Sequence, residues 1–411
     1  MDIIYDLCIV GAGLIGSSAA KHASLQSGLR VLIIGKEEPR NRKDSPIHGA
    51  YYDEARIAAP FTGHPFWLNA FRDSLDRFAS IEEASGKKFF HETGFVSAGP
   101  QSTQYITQSL SNCATAGIKH SVLTSSEAKE RYPFLHINTG DCAVEIKSGA
   151  GWLNPRTLRE AQLSIASANG CEIVDGIVKS IKEEDCNDAN VVLRMELLSG
   201  GEVFRARKVL LCTGAFTGCN QLLPKELQPE VSMVTQSVVF AELDDLERKR
   251  FVGMPTMVNV ESDSTVYQKK SCYVLPPIKY PDGKWYLKLG HGSQFERVLS
   301  TPQELYDWYT SPIPEDFKSG LVDILRSNFP DLRPLGCAFD SCVTTNTANR
   351  HPMIDMVTSN IAVAIGGNGY AAKCCDQIGK LGSDVILGKD WPSIYCREAL
   401  RYKANKDKSK L

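Results

Sequence analysis

The chain has 411 residues, enough for a large core divided between two domains. Its composition is 43% hydrophobic and 23% charged, as in ordinary globular proteins, and a net charge of -2 argues against a nucleic-acid or anionic-membrane surface. The 13 cysteines are scattered and form no CxxC pair, which excludes a disulfide framework or zinc ribbon and fits a reducing compartment. No metal site is expected. No run of about 18 apolar residues occurs, so no transmembrane helix is expected. The first residues are apolar, but they lack a basic start and contain Asp2 and Asp6, unlike a signal peptide.

Asp6 to Val10 is an apolar, β-rich run that enters Gly11-Ala12-Gly13-Leu14-Ile15-Gly16. A helix is expected from Leu14 to about Gln26, then a strand over Leu29 to Ile34. Strand, glycine turn, helix and strand in this order make a dinucleotide-binding fingerprint. Gly11 permits the tight turn, Gly13 leaves the backbone open to a pyrophosphate, and Gly16 lets the helix pack closely on the strand. The helix start at Leu14 and Ile15 offers free N–H groups and a positive dipole end. One part is missing. An acid usually closes the second strand to hold the ribose. Gly35 stands there, followed by Lys36, Glu37 and Glu38, and Glu37 or a water is expected to reach the ribose instead.

Glu37 to Ser45 reads as a loop, and His48 to Arg56 packs His, Tyr, Tyr, Asp, Glu and Arg into a short space. Helices are expected over Phe66–Glu83, Ser102–Ala116 and Ser125–Arg131, with strands within Lys88–Val96. Asn154 and Pro155 announce a helix to about Ala168. Strands follow at Glu172–Val174, Gly176–Ile181, Asn190–Glu196 and Glu202–Arg205, and a buried strand from Lys208 runs into Cys212-Thr213-Gly214-Ala215. Ser232–Leu243, Met257–Val260, Ser271–Leu275 and Lys284–Leu289 read as strands of one sheet. Pro302–Tyr309 and Pro314–Phe329 are helical, Cys337–Asp355 extended, Ile361–Ile365 a buried strand, and Ala371–Leu387 a closing helix. The class is α/β: a discontinuous Rossmann-like domain (1–88, 150–228 and 334–398) with an inserted, mainly antiparallel sheet domain (89–149 and 229–333) and a polar tail (399–411).

The fingerprint alone allows NAD or FAD. The C-terminal half decides between them. Cys342-Val-Thr-Thr345-Asn-Thr347, Ile354-Asp355 and Gly366-Gly367-Asn-Gly369-Tyr-Ala-Ala-Lys373, taken with Gly11–Gly16 and Leu211–Ala215, resemble the D-amino-acid-oxidase-like flavoprotein superfamily. Within it they look most like the sarcosine oxidase and pipecolate oxidase branch. The resemblance spans nearly the whole chain and is specific at both ends.

That resemblance implies FAD, bonded covalently through Cys342, whose thiolate is the required nucleophile. Cys337, five residues earlier, is the alternative. It implies that Gly367 and Gly369 lie under the flavin, and that Val178, Thr213 and Gly214 hold the dinucleotide through backbone. Lys373 matches a lysine holding a substrate carboxylate, and Lys288 one beside flavin N5 that favours oxygen reduction electrostatically. Tyr273 matches a tyrosine that walls the substrate, although a core tyrosine reads equally well. Arg56 matches the first of two arginines near the flavin. The second position is Ala59, and alanine cannot replace a bidentate carboxylate partner. The family's histidine falls at Gly292, with His291 one residue short.

The expected activity is oxidation of a secondary amine or N-methyl amino acid, with dioxygen reduced to hydrogen peroxide. The alternatives are a glycated or bulky amino acid, a flavin dehydrogenase, or a flavin binder without turnover. The sequence ends in Ser409-Lys410-Leu411, which reads as a peroxisomal address, so peroxisomal localisation through an import receptor is expected.

Overall fold

Ile4–Val10 lies between Val203–Leu211 and Val31–Ile34 and runs parallel to both. Its residues face two cores: Leu7 and Ile9 meet the helical layer, while Cys8 and Val10 join a core on the other face that includes Leu193 and Met195 of the same sheet. Burial on both faces explains why the run is apolar throughout rather than alternating. The computed structural model describes residues 3–184, 191–260 and 271–405. Asn190 and the tripeptide Ser409-Lys410-Leu411 therefore lie outside the described residues.

This first sheet has eight strands, six of them in the spatial order Val178–Glu184, Val192–Leu197, Val203–Leu211, Ile4–Val10, Val31–Ile34 and Glu172–Val174. Ile361–Ile365 adds parallel to the end of Val203–Leu211, and Met353–Met356 pairs antiparallel with it. The expected pair of strands around Arg205 and Leu211 is one continuous strand. Its first half pairs antiparallel with Val192–Leu197 and its last three residues pair with Ile361–Ile365, so its hydrophobic pattern changes midway.

Three helices cover one face: Leu14–Ser24, Pro155–Ala168 and Ala371–Ile386. Asn154 caps the second by accepting from Thr157 N at 3.0 Å, with Pro155 in its first turn, as expected. Asp376 of the third is fully buried. It accepts from Lys21, from His22 Nε2 at 3.0 Å and from Arg77 Nε at 2.6 Å. The closing helix is thereby tied to the fingerprint helix and to Pro65–Ser85.

A second, nine-stranded sheet has Ser232–Leu243 near one side, followed by Trp285–His291, Cys272–Lys279, Thr256–Asn259, Phe95–Gly99, Cys142–Ile146 and Ser121–Thr124. Gly336–Asn346 pairs with Ser232–Leu243 along its length. The segment 334–398, expected in the nucleotide domain, is therefore split between two sheets: Gly336–Asn346 in the second, Met353–Met356 in the first. The extended run Cys337–Asp355 breaks at Arg350, whose φ is 61°.

A small third sheet joins Arg56–Ala58, Gly151–Leu153 and Phe90–His91. Two of these strands were not expected, because segments of three residues carry no readable period. Among the described residues no helix is long and apolar enough to cross a membrane, and no group of three or more acidic, Cys or His residues could hold a metal ion.

Candidate active site

Two adjoining cavities lie between the sheets, of about 270 and 450 Å³. The smaller one starts at the fingerprint, where Gly11, Gly13, Leu14 and Ile15 line it. Gly11 has φ +105°, and a Cβ there would stand 2.4 Å from Cys212 O, so only glycine makes this turn. The missing acid at position 35 also has a steric reason. A Cβ on Gly35 would lie 2.2 Å from Ala12 N. Gly35 and Lys36 line the cavity. Glu37 stands outside that lining, its carboxylate paired with Arg159 at 2.8 and 3.0 Å. Arg159 also donates to Ala12 O at 2.5 Å, which couples Glu37 to the turn indirectly.

Val178, Thr213 and Gly214 line the same cavity, and Gly366, Gly367 and Gly369 close its other end. The closing turn is braced by Asn368, which accepts from Thr347 N at 3.0 Å and donates to Gly366 O at 2.6 Å. Ala371 and Ala372, at the start of the closing helix, also face the cavity. Two helix N-termini therefore border one elongated space, a favourable environment for negative charge.

Cys342 lines both cavities. Its carbonyl accepts from Trp308 Nε1 at 2.9 Å, which pins the strand at that point. Cys337 lines neither cavity and is exposed. The two cysteines share a strand, but only Cys342 is brought to the site.

The larger cavity is lined by Arg56, Tyr273, His291 and Lys373, and on its apolar side by Ala59, Phe61 and Phe95. Lys373 is 7% exposed, and its ammonium donates to Ala59 O at 2.6 Å. It also sits 5.5 Å from the Phe71 ring centre and 5.6 Å from that of Tyr370. No carboxylate among the described residues pairs with it. Burial pushes its pKa below the ordinary lysine value.

The Tyr273 ring lies across Gly290, where a Cβ would come within 2.2 Å of Cζ. The two residues are cross-strand partners. Burial pushes the Tyr273 phenol up to about 12, so it stays protonated. His291 has both ring nitrogens engaged by backbone: Nδ1 donates to Gly292 O at 2.8 Å and Nε2 accepts from Ser237 N at 3.3 Å. Burial brings its pKa down to about 4, so the ring is neutral at pH 7.

Lys288 lines neither cavity. It is 1% exposed and donates to the Asp53 carboxylate and to Ala55 O at 2.9 Å. Asp53 and Arg56, which line the larger cavity, bond to each other. Asp53 had no role in the sequence reading. The only signal was the density of polar residues from His48 to Arg56.

His48 was also missed. It lines the smaller cavity and stacks on Tyr309 with centroids 4.6 Å apart. Its Nε2 donates to Arg42 O at 2.9 Å, so Nδ1 is an acceptor; Nδ1 is buried and without a partner among the described residues. A buried, unpaired acceptor beside an elongated cavity calls for a donor from a bound group.

A family model described as FAD dependent oxidoreductase (DAO) matches residues 6–384. The chain belongs to that family. It is 23% identical to the peroxisomal sarcosine oxidase of Homo sapiens over 389 residues, covering 92% of this chain and 91% of the relative. It is 24% identical to the monomeric sarcosine oxidase of Arthrobacter sp. (strain TE1826) over 397 residues, 94% and 93% of the two chains. Among solved structures, NikD, an amino acid oxidase essential for nikkomycin biosynthesis, matches with a TM-score of 0.74 at 16% identity, over 98% of both chains. Amadoriase I of Aspergillus fumigatus, a fructosyl amine:oxygen oxidoreductase, matches with a TM-score of 0.71 at 20% identity, over 98% of this chain and 90% of that one. These two likenesses establish the fold.

The residues fit FAD. Glycine leaves backbone free at the turn where a pyrophosphate belongs, two helix ends favour its charge, and His48 Nδ1 awaits a donor.

Proposed function

We propose that the chain oxidises a secondary amine or N-methyl amino acid, with dioxygen as acceptor and hydrogen peroxide as product. The observation that carries this reading is the Lys373 ammonium, buried with no counter-charge among the described residues in a cavity that shares the wall at Cys342 with the cofactor space. FAD, when bound, supplies acceptance of a hydride equivalent from the amine carbon and delivery of electrons to dioxygen.

The protein's own part is binding and electrostatics. Lys373 holds the carboxylate of an amino-acid substrate, and Tyr273 walls the site. Arg56 stands at the junction of the two cavities. Carboxylates that line the larger cavity are already engaged: Asp53 with Lys288 and Arg56, Asp340 with Arg42, and Glu296 with Gln236 at 2.9 Å. No general base stands out among them, and the family resemblance implies that the neutral amine itself is the reactive form, so its orientation beside the flavin matters more than proton abstraction. The imine released hydrolyses in water. The Cys342 thiolate is the group that would tether the flavin, and Lys288 the fixed cation that supports the oxygen step.

A screen of N-alkyl amino acids with peroxide detection tests the reading. Anaerobic bleaching of the bound flavin by at least one of them is the expected result; no bleaching by any amine would sink it. Ala59, together with Phe61 and Phe95, supports a second reading, oxidation of a bulkier or glycated amino acid. A substrate order that favours such compounds over sarcosine would select it. Lys288→Met separates an oxidase from a flavin dehydrogenase, because only an oxidase loses oxygen reactivity while anaerobic reduction persists.

We further propose delivery to peroxisomes through Ser409, Lys410 and Leu411, supported by the peroxisomal relatives. A fluorescent fusion should become cytosolic when Leu411 is deleted, and unchanged targeting would refute this.

A further inference from the structure

Asp53 occupies an unusual place for a carboxylate. It is 6% exposed and accepts four hydrogen bonds. Oδ1 takes the Tyr280 hydroxyl at 2.9 Å and Glu54 N at 2.7 Å, while Oδ2 takes Lys288 Nζ and Arg56 Nη1. Arg56 is held in turn by Ala50 O and Ala55 O, both at 3.1 Å. Asp53 thus joins a fully buried lysine to an arginine that lines both cavities. All its hydrogen-bonding capacity is spent inside this cluster, so it is not a subsite for a substrate ammonium.

We propose that Asp53 is the positioning residue that holds Lys288 as a fixed ammonium behind the cavity wall and orients Arg56 at the junction of the two cavities. The proposal rests on the reading of Lys288 as the cation of the oxygen step. Burial, and after it the neighbouring Arg56 guanidinium, pull Lys288 toward the neutral amine. The Asp53 carboxylate in direct contact works the other way and favours the charged form. The other groups that act on Lys288 are Asp340 and Cys342, from the strand Gly336–Asn346, and neither contacts it. Asp340 is already committed to Arg42. Removing Asp53 therefore leaves two cations facing each other with no bonded counter-charge, and Lys288 is the one that can lose its proton.

The sign follows. Without Asp53, Lys288 keeps its proton only at lower pH. Reoxidation of the pre-reduced holoenzyme by dioxygen should then be fast at acid pH and fall about tenfold per pH unit above the new inflection. Wild type should stay flat across the same range. The experiment compares wild type, Asp53→Asn, Asp53→Glu and Lys288→Met by stopped flow from pH 6 to 9. It also follows the Lys288 side-chain nitrogen by NMR in lysine-labelled protein, with Lys288→Met supplying the assignment.

The expected results are an ammonium signal at pH 8 in wild type, an amine signal in Asp53→Asn, and partial rescue of both signal and pH profile in Asp53→Glu. An amine signal in wild type overturns the proposal, whether or not Asp53→Asn folds. So does an Asp53→Asn profile as flat and as fast as wild type. Normal reoxidation in Lys288→Met would instead refute the reading of Lys288, while the NMR signal would still report on Asp53.

Discussion

Lys373→Met should make the protein more stable and less active at once. Among the described residues the buried ammonium of Lys373 has a single hydrogen bond, to Ala59 O at 2.6 Å, and two aromatic faces beyond 5 Å. Methionine keeps most of the side-chain length and removes the charge. Relief of an unpaired buried charge, net of the lost hydrogen bond, is worth about 1–3 kcal/mol. Because folding lowers the pKa of Lys373, the penalty for burying its charge is full below the folded value and fades as pH climbs from there toward the unfolded value near 10.5. The advantage of the variant should therefore be largest at low pH and shrink as pH rises toward 10.5. For a carboxylate-bearing amine the cost is a desolvated charge-assisted bond, about 2–5 kcal/mol, or roughly 30-fold to several thousandfold in kcat/KM. An amine without a carboxylate should lose little. Chemical denaturation, with flavin absorbance and ellipticity followed together, measures the first effect; steady-state kinetics on matched substrates measure the second. Reduced stability, or equal losses for both substrates, would show that Lys373 supports the core and does not face an anion.

Three further outcomes follow from the geometry. Cys342→Ser should release yellow colour from the denatured chain, whereas Cys337→Ser, at an exposed position outside both cavities, should leave retention unchanged; the reverse pattern would assign the tether to Cys337. Gly35→Asp, which restores the residue type expected after the second strand, should weaken flavin binding. Its Cβ would meet Ala12 N at 2.2 Å, and overpacking against backbone costs about 1–3 kcal/mol, roughly fivefold to over a hundredfold in Kd. Titration of apoprotein in a Cys342→Ser background checks this, and tighter binding would refute it. Asp376→Asn should destabilise the fold by about 3–5 kcal/mol, because Lys21 and Arg77 lose their shared counter-ion. Burial alone would raise the Asp376 carboxyl, yet the His22 hydrogen bond and the charges of Lys21 and Arg77 hold it well below its ordinary value of 3.8. The contribution of that ion cluster is therefore present above about pH 4 and lost as pH falls further, and the variant should lack this acid-dependent loss in denaturant titrations.

Local chemistry was legible along the chain where one short segment carries the whole instruction. Ile4–Val10 followed by Gly11 to Gly16 specifies strand, turn and helix through apolar burial and glycine geometry, and the Asn154-Pro155 cap does the same for its helix. Cys342 and the turn Gly366–Gly369 pointed to the cofactor because residue type and spacing are local properties. Tertiary structure alone decided what depends on distant partners. The strand Val203–Leu211 looked like two because it changes neighbours midway, and Gly336–Asn346 left the nucleotide sheet because its ladder lies with Ser232–Leu243. The acid missing at Gly35 has its reason in Ala12, 23 residues earlier. Lys288 was legible as a strand lysine, but its carboxylate partner, Asp53, lies more than 200 residues away. A buried charge is tolerated only where the fold supplies its counter-charge, and that pairing exists in three dimensions alone.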